Sequence, residues 1–328
     1  MLAMRRSLST LAPGLALLGL TLVLTVGWDR FVAGDDRVTG IFFTAQNLGN
    51  VLRQNAEYGI LAVGMTFVIL TAGIDLSVGS VLAFSSVVAA SLIDRAPQSG
   101  SGLALLVMAI GLLAGSALGF LNGLGVTLGR MQPFIVTLAM MSVARGFAFL
   151  WTGGRGLDLI GDQPRLFERL GQDLGRLPVP ALILLLCVAV SHLVLTRTRF
   201  GRFVYAIGSN ETAARLSGIP VERVKVLVYT ICGFLSGLAA LIYTSRTHAG
   251  RPDDGIGFEL DAIAAVVIGG TNLMGGRGSV AGTLVGALTI GVLNNVLGLR
   301  GVDPNLQRVL KGLIIVAAVL VQRERKSK

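Results

Sequence analysis

Apolar segments long enough to cross a bilayer recur along almost the whole of this 328-residue chain, and they restrict its fold more than any other feature. The hydrocarbon core of a bilayer is about 30 Å thick and takes roughly 20 helical residues to cross. About ten runs meet that need: 8–28, 56–73, 75–93, 102–122, 133–151, 180–196, 225–245, 259–272, 279–298 and 306–322. The expected fold is therefore an all-α polytopic membrane protein forming one transmembrane domain over residues 1–328. Composition agrees, because only 14% of residues are charged, against about 25% in soluble domains. The 44 glycines suit close helix packing, since lipid gives helices no hydrophobic push together and small residues let their backbones approach. The first run follows "MRRS" and lacks a small-residue cleavage site, so it reads as an uncleaved first span.

The net charge of +10 does not indicate nucleic acid, because the cations sit at the flanks of apolar runs. With the N-terminus inside, the inner segments hold Arg5, Arg6, Arg130, Arg197, Arg199, Arg202, Arg215, Arg223, Lys225, Arg277, Arg323, Arg325, Lys326 and Lys328. That distribution follows the positive-inside rule. An even number of crossings returns the C-terminus to the same side, so both termini are expected in the cytoplasm. Cys187 and Cys232 lie inside apolar runs as buried thiols, with no spacing that suggests a disulfide or a metal. His192 and His248 stand far apart, and neither a metal nor a proton relay is expected of them. No cofactor is expected.

Two places interrupt the apolar pattern. "IDLSVGS" follows "VGMTFVILTAG", and "TNLMGGRGSVAG" follows "AIAAVVIGG", giving short or broken helices near 73–79 and 270–279. Backbone left unpaired at membrane depth is costly, so breaks survive only where protein buries them or water reaches them. They are either discontinuous helices lining a passage or tight turns between ordinary spans.

"YAIGSNETAARLSGIP" (205–220) is of another kind. Asn210 is placed to cap a helix, Glu211 suits its first turn, and Arg215 stands four residues on. Gly218 is the left-handed stop, with Pro220 two residues later. The predicted helix, Glu211 to Ser217, is too short to be stable alone. It is either a handle pressed into a groove on a cytoplasmic protein or an interfacial helix, with Arg199 and Arg202 on lipid phosphates.

The segment "YAIGSNETAARLSGIPVERVK" resembles the cytoplasmic coupling loop of permease subunits from bacterial ATP-binding-cassette (ABC) sugar importers of the ribose/xylose/arabinose type. "GMTFVILTAGIDLSVGSVLAF" resembles that family's second and third spans, and "ELDAIAAVVIGGTNLMGGRGSVAGTLVGALTIGVLNN" its C-terminal signature. The resemblance covers roughly residues 45–322. It implies a permease dimer, a homodimer or a related heterodimer, in the bacterial inner membrane. It also implies an ABC ATPase subunit docked on the cytoplasmic coupling loop 197–224, and a periplasmic or lipid-anchored sugar-binding protein outside. The docking residues would be Ser209, Asn210, Glu211, Ala213, Ala214, Arg215 and Gly218. The chain has no G-x-x-x-x-G-K-[ST] loop to cradle phosphates, so it is read as a translocation subunit without ATPase activity of its own.

Candidate residues for the path are Asp75, Ser77, Asn122, Asn294 and Asn295. Asp75 either caps the helix that follows it or faces the passage. The asparagines either bond between helices or offer donors and acceptors to a hydroxyl-rich solute. Glu259 and Asp261 either favour the start of the eighth span or meet a docked binding protein, and Arg145 either snorkels outward or has a functional role. Phe67 and Phe84 read as core or lipid-facing. The expected function is import of a ribose-like monosaccharide by alternating access. Other cargoes of the same machine are a furanose or deoxy sugar, a signalling diol or a nucleoside. An ion-coupled carrier would need carboxylates deep in the membrane, and an intramembrane enzyme would need a motif such as H-E-x-x-H, which is absent.

Overall fold

The computed structural model describes residue 19 and residues 37–95, 100–159, 164–175 and 177–324. Apart from residue 19, the expected first span lies outside these residues, as do Arg5, Arg6, Arg325, Lys326 and Lys328.

After a short α1 (Arg37–Phe42), Thr44 accepts a hydrogen bond from the Asn47 amide at 3.2 Å and starts α2 (Ala45–Leu70). Next come α3 (Val78–Asp94), α4 (Ser101–Thr127) and α5 (Pro133–Thr152), the last begun by proline at its first position, where the missing N–H costs nothing. A connecting region then holds β1 (Leu157–Asp158), α6 (Arg165–Glu168), β2 (Asp173–Leu174) and β3 (Leu177–Pro178). It leads into α7 (Val179–Arg197), α8 (Arg199–Ser209), α9 (Glu211–Leu216) and α10 (Val221–Thr247). The chain ends with β4 (Ala249–Gly250), α11 (Phe258–Ile268), α12 (Val280–Leu299) and α13 (Pro304–Glu324).

Among the described residues, five helices are long and apolar enough to cross a bilayer: α4, α5, α7, α10 and α12. α2 is equally long, but its first half, "AQNLGNVLRQNAEY", is polar. The expectation of an all-helical chain holds for the bundle. At one end two short antiparallel ladders add to it, pairing β1 with β4 and β2 with β3.

α10 is the centre of the bundle and packs on α4, α2 and α3. Its contact with α4 is made backbone to backbone. A Cβ on Gly115 would strike the Gly233 carbonyl, one on Gly119 the Tyr229 carbonyl, and one on Gly233 the Gly115 carbonyl. Tyr229, Phe67, Met65 and Leu241 are among the largest fully buried side chains of the bundle. Phe67 is thus a core residue, as expected.

The eighth span expected at 259–272 is not a full crossing. α11 has 11 residues, about 16 Å at 1.5 Å per residue. The chain reaches it by running along α3: Gly250 packs on Ser86 and Ala90, the Ser86 hydroxyl donates to Asp254 at 3.2 Å, and Gly255 packs against Gly79. α11 therefore begins inside the bundle, beside the first turn of α3.

Candidate functional site

α9 has the local structure that its sequence prescribes. The Asn210 side chain accepts from the Ala213 amide at 2.9 Å. The helix ends at Leu216, with Ser217 as its cap, one residue shorter than expected. Gly218 has φ +80°, a left-handed stop that a side chain would strain. Of the helix residues only Ala214 is buried, and Leu216 is 84% exposed. Arg215 lies 3.5 Å from Glu211, but it also pairs with Glu222, and Lys225 Nζ stands 2.6 Å from Glu211. This network ties α9 to the first turn of α10. A cavity of about 420 Å³ lies between this network and the α4–α5 turn, lined by Arg130, Met131, Glu211, Arg215, Glu222 and Lys225.

α8 is the element that sequence reasoning missed within the loop 197–224. The Thr198 side chain accepts from the Gly201 amide at 3.1 Å and starts it. The alternation of Gly201, Val204 and Ile207 with exposed Arg199 and Arg202 was the available signal of a one-sided helix.

Both interruptions converge on the end of α8. Gly208 leaves no room for a Cβ, which would meet the Leu70 carbonyl and the Gly276 nitrogen. The Gly276 N–H donates to the Leu70 carbonyl at 3.0 Å, and the Tyr205 hydroxyl donates to the Gly278 carbonyl at 2.9 Å. The turn after α2 needs Ala72 at φ +59°, and the loop after α11 has Gly270, Gly275 and Gly276 at φ +85°, +83° and +71°. Met274 projects from that loop, 70% exposed.

The five path candidates fall into two groups. Asp75, Ser77 and Asn122 come together, all fully buried. The Ser77 hydroxyl and amide both donate to Asp75, at 2.6 and 2.9 Å, and Asn122 Nδ2 donates to the Ser77 hydroxyl at 2.9 Å. Asp75 thus holds the turn that leads into α3; Ser77, the residue before the helix, makes no side-chain cap bond itself. Asn295 exchanges two hydrogen bonds of 2.9 Å with Asn47 on α2, and Asn294 and Asn295 both line one cavity there.

Several charges have partners that the sequence did not reveal. Arg145 does not snorkel: its Nη1 donates to the carbonyls of Pro252 and Asp254, at 2.7 and 2.6 Å. Glu259 and Asp261 lie in the first turn of α11 without capping it, and Asp261 accepts from Lys311 on α13 at 2.9 Å. Buried Glu57 on α2 accepts from Arg246 at the end of α10, at 2.7 and 3.1 Å. In the loop between β4 and α11, burial pushes the Asp254 carboxyl above its ordinary range, while the Arg251 amide and Ser86 hydroxyl oppose that shift. Among the described residues no cluster of His, Cys, Asp or Glu could hold a metal ion.

Several long apolar helices packed around α10 define a multi-pass membrane protein. The family described as branched-chain amino acid transport system / permease component matches residues 47–319, and the chain belongs to it. It is 48% identical to the ribose import permease protein RbsC of Haemophilus influenzae over 282 residues, 85% of each chain. It is 47% identical to RbsC of Bacillus subtilis over 288 residues, 87% of each chain. Over 286 residues it is 36% identical to the L-arabinose ABC transporter permease protein AraH of Azospirillum brasilense, covering 87% of this chain and 82% of that one. No solved structure matches.

Proposed function

We propose that the chain is the translocation subunit of an ATP-driven ABC importer carrying a simple sugar of the ribose type into the cytoplasm. The cargo reading rests on the relatives named for ribose and arabinose, which match over most of their length. The mechanical reading rests on one observation: α8, which carries α9, is joined to both helix breaks through Gly208, Leu70 and Gly276. A push on α9 is passed through Asn210 to α8, and from there to the end of α2 and the loop between α11 and α12.

In this reading α9 is the coupling helix, and Ser209, Asn210, Glu211, Ala213, Ala214, Arg215 and Gly218 form the knob seated in a separate ATPase subunit. The exposed Leu216 and Met274 supply apolar contact to that partner. Both termini and α9 face the cytoplasm, about ten segments enter the membrane, and a second permease copy completes the passage. A sugar-binding protein docks at the opposite end, where the β1–β4 ladder lies. Of the buried carboxylates, Glu57 and Asp261 are each neutralised by a cation and Asp75 is engaged by the Ser77 amide and hydroxyl in the turn before α3, which suits them to structure rather than to the ion coupling of secondary carriers. Energy comes instead from nucleotide hydrolysis by the partner.

Reconstitution in proteoliposomes tests this. The chain with its ATPase and binding protein should accumulate ribose only when ATP is supplied on the ATPase side. Uphill uptake by the chain alone, driven by an ion gradient, would overturn it.

A further inference from the structure

A cavity of about 360 Å³ lies between α2, α12 and α13. It sits at the far end of α12 from the loop that α8 touches, and α12 is 20 residues long, about 30 Å. Its wall is rich in side-chain amides: Gln54, Asn55, Asn294, Asn295 and Gln307. Two of these are already fixed, Asn295 by Asn47 and Gln307 by its bond of 2.8 Å to the Val302 carbonyl. Asn294 Oδ1 is buried and has no hydrogen-bond partner.

We propose that this cavity is a transit subsite for a neutral polyhydroxylated solute the size of a monosaccharide. An amide offers donors and an acceptor, and each sugar hydroxyl is itself both, so a ring of amides matches a sugar whichever hydroxyl faces it. The one charged residue in the wall, Lys311, is paired with Asp261, so nothing there selects an ion. Tyr58 adds one apolar face, its ring 4.4 Å from that of Phe258 at the start of α11. The volume lies near the lower limit of small-molecule sites, roughly 300 Å³, which favours one sugar ring over two. The subsite deepens the proposed function and rests on it for the identity of the cargo.

Gly298 provides the test, because it lines the cavity and a Cβ added there meets nothing within 4 Å. Gly298→Leu should fill the space without moving the backbone. In proteoliposomes holding the full importer, it should lower ribose uptake about tenfold, while Gly146→Ala, on α5 away from this cavity and with open space for a Cβ, stays near wild type. Binding-protein-stimulated ATPase activity and thermal stability in detergent should be retained in both. In a Cys187→Ala/Cys232→Ala background, Asn294→Cys should react with a maleimide more slowly when ribose is present, and at an unchanged rate with an equal concentration of sodium chloride. Uptake by Gly298→Leu at the wild-type rate, with no ribose protection of Asn294→Cys, would overturn the subsite even in an importer that works. Ribose protection in a complex that shows no ATP-driven uptake would leave the subsite standing and remove the motor reading instead.

Discussion

The Gly276 N–H donates to the carbonyl of Leu70 across 3.0 Å, joining the last residue of α2 to a loop 206 positions further along. A helix leaves its last carbonyls without internal partners, and here one of them is answered by the second helix break. Gly208 of α8 lies against both groups.

Gly208→Val should therefore separate three segments at once. Forcing extra atoms into a packed contact costs about 1–3 kcal/mol. The expected outcome is a lower melting temperature in detergent and loss of ATP-driven uptake. Gly146→Ala, at an open position on α5, should show neither.

The coupling helix can be weakened without touching the membrane core. Asn210→Ala removes the bond to the Ala213 amide, at a cost of about 1 kcal/mol. Gly218→Val strains a residue at φ +80°. Glu211→Arg removes a partner of both Lys225 and Arg215 and sets three cations together. All three should insert normally and co-purify poorly with the ATPase. Retention of ATPase in all three variants would show that α9 is not the knob.

Breaking the Glu57–Arg246 pair should be costly, because Glu57 is 1% exposed and accepts two bonds from one guanidinium. Glu57→Leu leaves a partly buried cation alone, with an expected loss of about 3 kcal/mol. The double variant Glu57→Leu/Arg246→Met should recover much of it, read as melting temperature in detergent.

What was legible in the sequence was local. Asn210, Gly218 and the interruptions near 73 and 275 announce themselves by residue type within a few positions, because capping and left-handed turns are decided there. The meeting of Leu70, Gly208 and Gly276 has no such signal, since it depends on backbone groups far apart in the chain. "FELDAIAAVVIGG" reads as a span because hydropathy reports apolarity and not depth; only the packing of Gly255 on Gly79 shows that α11 starts within the bundle. Arg145 finds carbonyl partners, which no residue type can foretell. One signal was overlooked: Asp261 and Lys311 are opposite charges in the eighth and tenth apolar runs, and ions within apolar runs generally pair.

The loop between β4 and α11 should show a pH dependence of a definite sign. Burial raises the Asp254 carboxyl above the ordinary Asp value of 3.8, so the native state holds that proton more tightly than the unfolded chain. The resulting stability is fully present below the ordinary value and is lost as pH rises through the raised native one. Melting temperature across that interval should fall less steeply in Asp254→Asn than in the wild type. Parallel curves for the two proteins would show that Asp254 titrates alike in both states.

The contact of Gly115 and Gly119 with Gly233 leaves α4 and α10 no side chains between which to slip. Interdigitated bulky residues can exchange rotamers as neighbours slide, whereas two backbones in direct contact admit no such regrouping. These two helices thus behave as one stiff strut, and any change of shape during a transport cycle has to be taken up at their margins, where α2, α11 and α12 meet the solvent-facing turns.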